Sequence, residues 1–134
     1  MSAARLLPSV YLAGGSRSSW QDVASERLSG WNIIDPRTHQ LSDEHAYTAW
    51  DLEGIRRSDW VLANFEATNP GGYNLALEVG YAKALGKRII LIDEKGSADP
   101  SVRRYTSMLH ACSDFTPQSL DEAISFLQKL MSIA

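Results

Sequence analysis

Two acidic side chains lie in stretches of the chain where a charge is unexpected. In NLALEVGYAKALGK, Glu78 is the only charged residue before Lys83, and apolar residues cover nearly every face of the predicted helix. In AYTAWDLEGI, Asp51 lies four residues after Tyr47 and four before Ile55, so it shares one helical stripe with both. Paired carboxylates cleave glycosidic bonds, one acting as nucleophile and the other as acid. The two positions therefore indicate glycosidic chemistry.

Each carboxylate also has a purely structural interpretation. The helix macrodipole favours an ionised Glu78, which suits a nucleophile, yet a helical glutamate commonly points outward beside a hydrated groove. Composition alone leaves these two interpretations of Glu78 even. Taken alone, Asp51 favours a solvated position at the edge of the apolar face, paired with Arg56 or Arg57. Two such carboxylates at the same end of one sheet shift the balance towards catalysis.

A glycine-rich loop follows the first apolar run, in the segment YLAGGSRSSW. A strand that leads into a helix through such a loop can present backbone N–H groups to a phosphate. However, GGSRSS has neither the ending of a Walker loop nor a complete GxGxxG pattern. Asp35 lies twenty residues after Gly15, where a ribose-binding acid would stand in a dinucleotide site, although Pro36 favours a turn there. The loop could bind a nucleotide, cover a sugar or only turn the chain.

Other reactive residue types carry weaker signals. The three histidines, His39, His45 and His110, lack metal-ligand spacing and are expected to be solvated or structural. Ser16 has no GxSxG context, and Cys112 lies in a predicted apolar strand, where an inert core thiol is usual. We therefore predict no metal site and no cofactor.

Length and composition limit the class of protein. The 134 residues fit one domain, 1–134, and a net charge of −3 argues against a nucleic-acid-binding surface. A single cysteine permits no intramolecular disulfide and favours a cytoplasmic location. The N-terminal MSAARLL loosely resembles a signal peptide, but Pro8 and Ser9 interrupt the apolar run, so we expect neither export nor membrane insertion.

Strand and helix patterns alternate about five times along the chain. The strands are continuous apolar runs, which is typical of a parallel sheet covered by helices on both faces. We predict a single-domain three-layer α/β/α sandwich with a five-stranded parallel sheet, flavodoxin-like or Rossmann-like. Asn74, Ser119 and either Ser42 or Asp43 are expected to cap helices, and Gly86 to end one. The predicted strands are SVYLA, WNIID, WVLANF, RIILID and a short ACSDFT.

Three segments resemble the nucleoside 2-deoxyribosyltransferase superfamily, which includes the 2′-deoxynucleoside 5′-phosphate N-hydrolases. The segments are VYLAGGSR, WDLEGIRRSDWVLANF and LALEVGYAKALGKRIILI, which together span residues 10–92. The E-x-G-x-A-x-x-x-G-K pattern after an S-D-apolar strand is the more specific part. The WQD after the first loop and the DPR at Asp35 resemble a less-characterised branch of the same superfamily.

The resemblance implies roles for individual residues. Glu78 matches the nucleophile that forms a glycosyl-enzyme, Asp51 the acidic residue near sugar and base, and Tyr11 the aromatic residue that positions the nucleophile. The first loop would cover the sugar 5′ end, and Ser107 would reach the 5′ oxygen or phosphate across a subunit interface. The predicted substrate-binding residues are Gly14, Gly15, Ser16, Arg17, Asp35, Asn64, Tyr73, Asn74 and Ser107.

The segment NPGGYNLAL departs from the family pattern. Transferases carry an Asp shortly before the nucleophile and phosphohydrolases a Ser, but this chain has Gly71 or Gly72 there, so Asn69, Tyr73 or Asn74 would have to substitute. The resemblance implies deoxyribosyl transfer between nucleobases by a homo-oligomer, at least a dimer. The alternatives are a nucleoside 5′-monophosphate N-glycosidase and a non-catalytic nucleotide-binding sensor. An Arg17 that points into the site would favour the monophosphate, and one that points to water a free nucleoside.

Overall fold

The computed structural model describes residues 6–133, so the first five residues of the N-terminal segment considered above lie outside it. Within this range four strands alternate with helices on both sides of the sheet. The strands are β1 Ser9–Ala13, β2 Asn32–Ile34, β3 Trp60–Phe65 and β4 Arg88–Asp93. The helices are α1 Trp20–Arg27, α2 Glu44–Arg57, α3 Tyr73–Ala84, α4 Glu94–Ala98, α5 Pro100–Arg103, α6 Ser107–Cys112 and α7 Leu120–Ser132, with 3₁₀ turns at Pro36–Thr38 and Arg104–Thr106.

All four strands are parallel, in the order β2-β1-β3-β4. One layer of core lies between the sheet and helices α1 and α7, and includes Leu12, Leu62 and Ile124. The other lies between the sheet and helices α2 and α3, and includes Ala63 and Val79. This confirms a parallel α/β arrangement, in which side chains of successive strand residues alternate between two buried faces.

The predicted fifth strand, ACSDFT, is wrong. Its first two residues end α6, and its pairing with the sheet is limited to one parallel bridge between Phe115 and Ile90 and a few backbone hydrogen bonds that join Asp114 and Phe115 to β4. The Asp114 side chain accepts a hydrogen bond from the backbone N–H of Ile89 at 2.8 Å, so a side chain replaces a ladder partner. Pro117, which has no N–H, follows closely. Cys112 is therefore a half-buried helical residue and not a strand residue.

Helix ends agree with the sequence in most places. Asp43 caps α2 through Ala46 N–H, Ser119 caps α7 through Glu122 N–H, and Gly86 follows α3 with φ 75°. The prediction that Asn74 caps α3 is wrong, because the helix already includes Tyr73 and begins after Gly72. Among the described residues, no helix is long and apolar enough to cross a membrane.

Candidate active site

The carboxyl ends of the strands carry a cavity of about 360 Å³. Parallel strands place the loops that follow them at one edge of the sheet, and ligands commonly bind there. A second cavity of about 510 Å³ opens between α2 and α3 and shares Asp51, Asn74 and Glu78 with the first. The first cavity is lined by Gly14, Gly15, Pro36, Asp51, Asn69, Gly72, Tyr73, Asn74, Leu75 and Glu78. Glu78 and Asp51, 27 positions apart in sequence, thus face the same space.

The carboxylate of Glu78 is held by Tyr11. Tyr11, in β1, is completely buried, and its hydroxyl donates a hydrogen bond to Glu78 Oε2. Glu78 lies on the inner side of α3 and is only 8% exposed. Burial, together with the nearby carboxylate of Glu78, raises the pKa of Tyr11 far above its ordinary value, so the phenol remains a donor. One carboxylate oxygen is therefore oriented by the protein.

Glu78 is harder to ionise than its position in a helix suggests. Its pKa is raised to about 7: burial is the largest cause, the Tyr11 hydrogen bond opposes it, and the nearby Asp51 carboxylate adds to the rise. Burial thus outweighs the favourable effect that the helix macrodipole was expected to have on the ionised form. Glu78 is the sixth residue of α3, beyond the first turn over which the dipole acts, while desolvation acts on the whole side chain. The carboxyl therefore titrates close to neutral pH.

Asp51 lies beside His39. His39 Nε2 is 3.3 Å from Asp51 Oδ1, close enough for charge interaction although Asp51 Oδ1 forms no hydrogen bond within residues 6–133, and His39 Nδ1 accepts the backbone N–H of Leu41 at 2.9 Å. The His39 ring also packs edge-on against Trp50. Burial raises the pKa of Asp51, and the neighbouring imidazole opposes this shift. The alternative pairing with Arg56 does not form, because Arg56 binds Glu53.

Gly54 makes room for the tyrosine that holds Glu78. A Cβ at this position in α2 would lie 2.9 Å from Ile34 Cγ2 and 3.1 Å from Tyr11 Cε2, closer than side-chain carbons normally approach. The glycine thus lets α2 approach β1 and β2 directly above the Tyr11 ring. A glycine in the interior of a helix usually lowers its stability, so close packing accounts for this one.

Side-chain hydrogen bonds hold the loop after β1 in place. Glu66, which follows β3 and is 3% exposed, accepts the backbone N–H groups of Arg17 and Ser18, each at 2.8 Å, and the Ser18 hydroxyl at 2.6 Å. Trp20 Nε1 and Gln21 Nε2 both donate to the carbonyl oxygen of Gly15. The loop therefore has a fixed shape and its outer amides already bind an anion, the Glu66 carboxylate.

The amino-acid sequence matches the model of one protein family. Residues 7–95 match the family model described as "nucleoside 2-deoxyribosyltransferase like", well over half of the protein. The chain belongs to that family. Comparison with curated proteins gives no match.

Solved structures show how widely this deoxyribosyltransferase-like fold recurs. A conserved protein from Enterococcus faecalis V583 is 15% identical with a TM-score of 0.69, covering 92% of this chain and 99% of that one. A 2-desoxiribosyltransferase from Leishmania mexicana is 20% identical with a TM-score of 0.53, covering 63% of each chain. The CMP N-glycosidase BcmB from Clostridium botulinum is 21% identical with a TM-score of 0.51, covering 91% of this chain and 97% of that one. At these identities the likeness concerns the fold.

Four of the nine predicted substrate-binding residues of this family member line the first cavity: Gly14, Gly15, Tyr73 and Asn74. Gly14 has φ +131°, and a Cβ there would collide with the Asn64 carbonyl, so glycine is required for the close approach of loop and strand. Tyr73 is 87% exposed at the cavity mouth. Of the residues suggested as substitutes before the nucleophile, Asn69 also lines the cavity.

The other five predicted residues lie outside the cavity lining. Ser16 and Arg17 are exposed and do not line the cavity, and a role of Arg17 towards a 5′-phosphate stays a prediction. Asp35 caps the 3₁₀ turn that begins at Pro36, and both of its oxygens bind Arg37, at 2.7 Å for the shortest contact. It therefore acts as a turn residue. The Ser107 hydroxyl donates to the carbonyl of Arg104, and its role across a subunit interface stays a prediction.

Asn64 is buried on the opposite face of β3 from Glu78. Its neighbours Ala63 and Phe65 belong to the α2–α3 core, whereas Leu62, two residues away, belongs to the α1–α7 core. Its Oδ1 has no hydrogen-bond partner within residues 6–133. Its backbone carbonyl lies beneath Gly14. The sheet alternation thus separates the side chain from the cavity.

Several site residues were not selected from the sequence. His39, for which we expect a solvated or structural role, lies beside Asp51, and no spacing signal reveals this contact. Gly54 lies three residues after Asp51 in the interior of a predicted helix. A glycine inside a helix is a recognisable sign of close packing. Glu66 directly follows an apolar strand, at the sheet edge where ligands commonly bind. That position identifies it as a candidate site residue.

His110 forms the second histidine–carboxylate contact, with Asp93 at 2.8 Å. Burial alone would raise the pKa of Asp93, but hydrogen bonds from His110, Thr106 and Gly96 together hold it below its ordinary value. Neither His110 nor Asp93 lines the two cavities. Within residues 6–133, no group of three or more His, Cys, Asp or Glu side chains is arranged to hold a metal ion.

Proposed function

We propose that this protein cleaves the N-glycosidic bond of 2′-deoxynucleosides and transfers the deoxyribosyl group to another nucleobase. The observation that carries the proposal is the buried Glu78 carboxylate, oriented by Tyr11 and facing the same cavity as Asp51. Membership of the deoxyribosyltransferase-like family supports the substrate class. The fold shared with a desoxiribosyltransferase and a CMP N-glycosidase agrees with cleavage at the same type of bond.

In the first step, an ionised Glu78 oxygen forms a bond to C1′ of the sugar. The C1′–N bond breaks, and its electron pair leaves with the base through an oxocarbenium-like transition state. Asp51 supplies the proton that the departing base takes up. Its raised pKa, caused first by burial, is in the direction that an acid of this kind needs.

In the second step, a nitrogen of an incoming base attacks C1′ and the bond to Glu78 breaks. The electron pair returns to the Glu78 carboxylate, and the proton of the incoming base passes to Asp51. Water in place of the base gives hydrolysis. The two outcomes differ only in the acceptor, so the balance depends on base affinity and on the exclusion of water from the cavity.

The test is base exchange between deoxyinosine and adenine. We expect deoxyadenosine and hypoxanthine to form, and Glu78→Ala to abolish both products. Asp51→Asn should slow the reaction by roughly 100-fold or more, since it removes general acid catalysis. Activity that survives Glu78→Ala would overturn the assignment of the nucleophile.

A second candidate function is hydrolysis of a nucleoside 5′-monophosphate. It is favoured by the fold likeness to a CMP N-glycosidase, which extends over 91% of this chain. Release of free base from a monophosphate in water, without base exchange, would support it. A nucleotide-binding sensor would instead bind tightly without turnover during long incubation, and Asp51→Asn would change its binding little.

We also propose that the protein is at least a homodimer. Helix α3 and the start of α6 expose large apolar side chains, with Leu77, which lines the second cavity, 57% and Met108 80% exposed. Association would cover this surface and bring a second Ser107 towards the site. Sedimentation at micromolar concentration should give a dimer or larger species, and a monomer would contradict a role of Ser107 across an interface.

A further inference from the structure

Two backbone amides of the first loop that could bind a phosphate, those of Arg17 and Ser18, are already used. The Glu66 carboxylate receives two backbone N–H groups, from Arg17 and Ser18, and the Ser18 hydroxyl. Two adjacent amides and a hydroxyl are the donor set with which loops of this kind bind phosphate oxygens. The protein thus supplies its own anion to this site.

Strand order explains how Glu66 reaches the loop. It directly follows Phe65, the last residue of β3, and β3 lies beside β1 in the sheet. Glu66 Oε1 would lie 3.7 Å from a Cβ placed on Gly15, which lines the cavity. The carboxylate therefore stands immediately behind the cavity wall, at the end where the loop would cover the sugar.

The charged side chains that line the two cavities are acidic, and the nearby Lys95 ammonium is bound to the backbone carbonyl of Asn69. Among the residues of the described chain that line either cavity, none is Lys or Arg, whereas Glu44, Asp51 and Glu78 are acidic. The Arg17 side chain is exposed and outside the lining. A phosphate group at the sugar 5′ end would meet these carboxylates and Glu66 without a cation from the cavity wall to compensate.

We propose that Glu66 determines substrate charge. Its carboxylate occupies the place of a 5′-phosphate, so the site accepts nucleosides with a free 5′-hydroxyl and rejects 5′-monophosphates. This inference rests on the proposed function and selects between its two candidate substrates. We expect a preference for deoxyinosine over its 5′-monophosphate on the order of 100-fold or more, as like-charge repulsion predicts.

The first test measures anion binding without catalysis. Glu66→Ala frees the two amides, so inorganic phosphate should raise its melting temperature relative to chloride at equal ionic strength. Wild-type protein should gain nothing from phosphate. The matched control is Glu122→Ala, which also removes a carboxylate that accepts a backbone N–H, from Gln118, but lies on α7 away from the loop. Equal stabilisation of wild type and Glu66→Ala would overturn the proposal.

The second test measures the ratio of kcat/KM for deoxyinosine to that for its 5′-monophosphate. Glu66→Ala should lower the ratio at least about tenfold. Glu66→Gln keeps the side-chain volume and an acceptor oxygen, so it serves if the alanine variant does not fold, and it should also lower the ratio. A wild-type enzyme that cleaves the monophosphate as well as the nucleoside would refute the inference. If wild type cleaves neither, the proposed function fails, and the phosphate-binding test still decides the role of Glu66.

Discussion

The hydroxyl of Tyr11 donates to the Glu78 carboxylate across 67 residues of sequence, joining the first strand to the third helix. Both groups are buried. Burial raises the pKa of Glu78, and the hydrogen bond from Tyr11 lowers it. The candidate nucleophile is therefore poised near neutrality by two opposing effects.

Activity should depend on the ionisation of Glu78. Glu78, with a pKa of about 7, must be ionised while Asp51 keeps its proton, so we predict a bell-shaped pH profile of kcat/KM that falls at low pH, as Glu78 is protonated, and at high pH, as Asp51 ionises. The measurement is a pH profile of base exchange at low substrate concentration. A profile that stays flat down to the ordinary pKa of a glutamate would show that Glu78 is not the ionising group.

Stability should fall with rising pH for the same reason. The pKa of Glu78 is higher in the folded protein than its ordinary value of 4.5, so the folded state binds the proton more tightly. The stabilisation is complete below the ordinary value and is lost as pH rises through about 7. Glu78→Gln should therefore be more stable than wild type at about pH 8, by on the order of 3 kcal/mol, and similar at about pH 4.

Urea unfolding at the two pH values measures this effect. Glu26→Gln, on the exposed side of α1, is the control and should follow wild type at both. A Glu78→Gln variant that shows the same pH dependence as wild type would contradict the burial argument.

Tyr11→Phe tests the effect of the Tyr11 hydroxyl on Glu78 without removing the ring from the core. The phenylalanine ring fills the same space, but Glu78 loses a hydrogen bond that stabilises its ionised form. We expect kcat/KM to fall by roughly 10- to 100-fold, the usual worth of a hydrogen bond to a charged group. The low-pH midpoint of the pH profile should also move upward. An unchanged midpoint would mean that Tyr11 does not influence the ionisation of Glu78.

Gly54→Ala should disturb the Tyr11 ring. The new Cβ would crowd Tyr11 and Ile34, so we expect a loss of about 1 kcal/mol in the free energy of unfolding and slower turnover. Gly80→Ala is the matched control, since no atom lies within 4 Å of its added Cβ in α3. It should gain up to about 1 kcal/mol from helix propensity alone. A Gly54→Ala variant as stable and as active as Gly80→Ala would disprove the packing argument.

The sequence alone determined the alternation of strands and helices and the family. Continuous apolar runs identify buried parallel strands because both faces of each strand are covered. Glu78 and Asp51 could be selected because a carboxylate among apolar residues is costly unless it is used. The short ACSDFT run was misassigned, since the competition between the Asp114 side chain and the backbone ladder depends on a neighbouring strand.

Only the tertiary structure determines the ionisation of the site residues and the partners of their polar groups. The pKa of Glu78 depends on desolvation by surrounding elements, and the partner of Asp51 is His39, twelve residues away with no regular spacing. Asp35 and the first loop looked available for a ligand, but Arg37 and Glu66 occupy their hydrogen-bonding groups. Local patterns show which groups could bind a ligand. Contacts between distant segments determine which of those groups the protein itself has already satisfied.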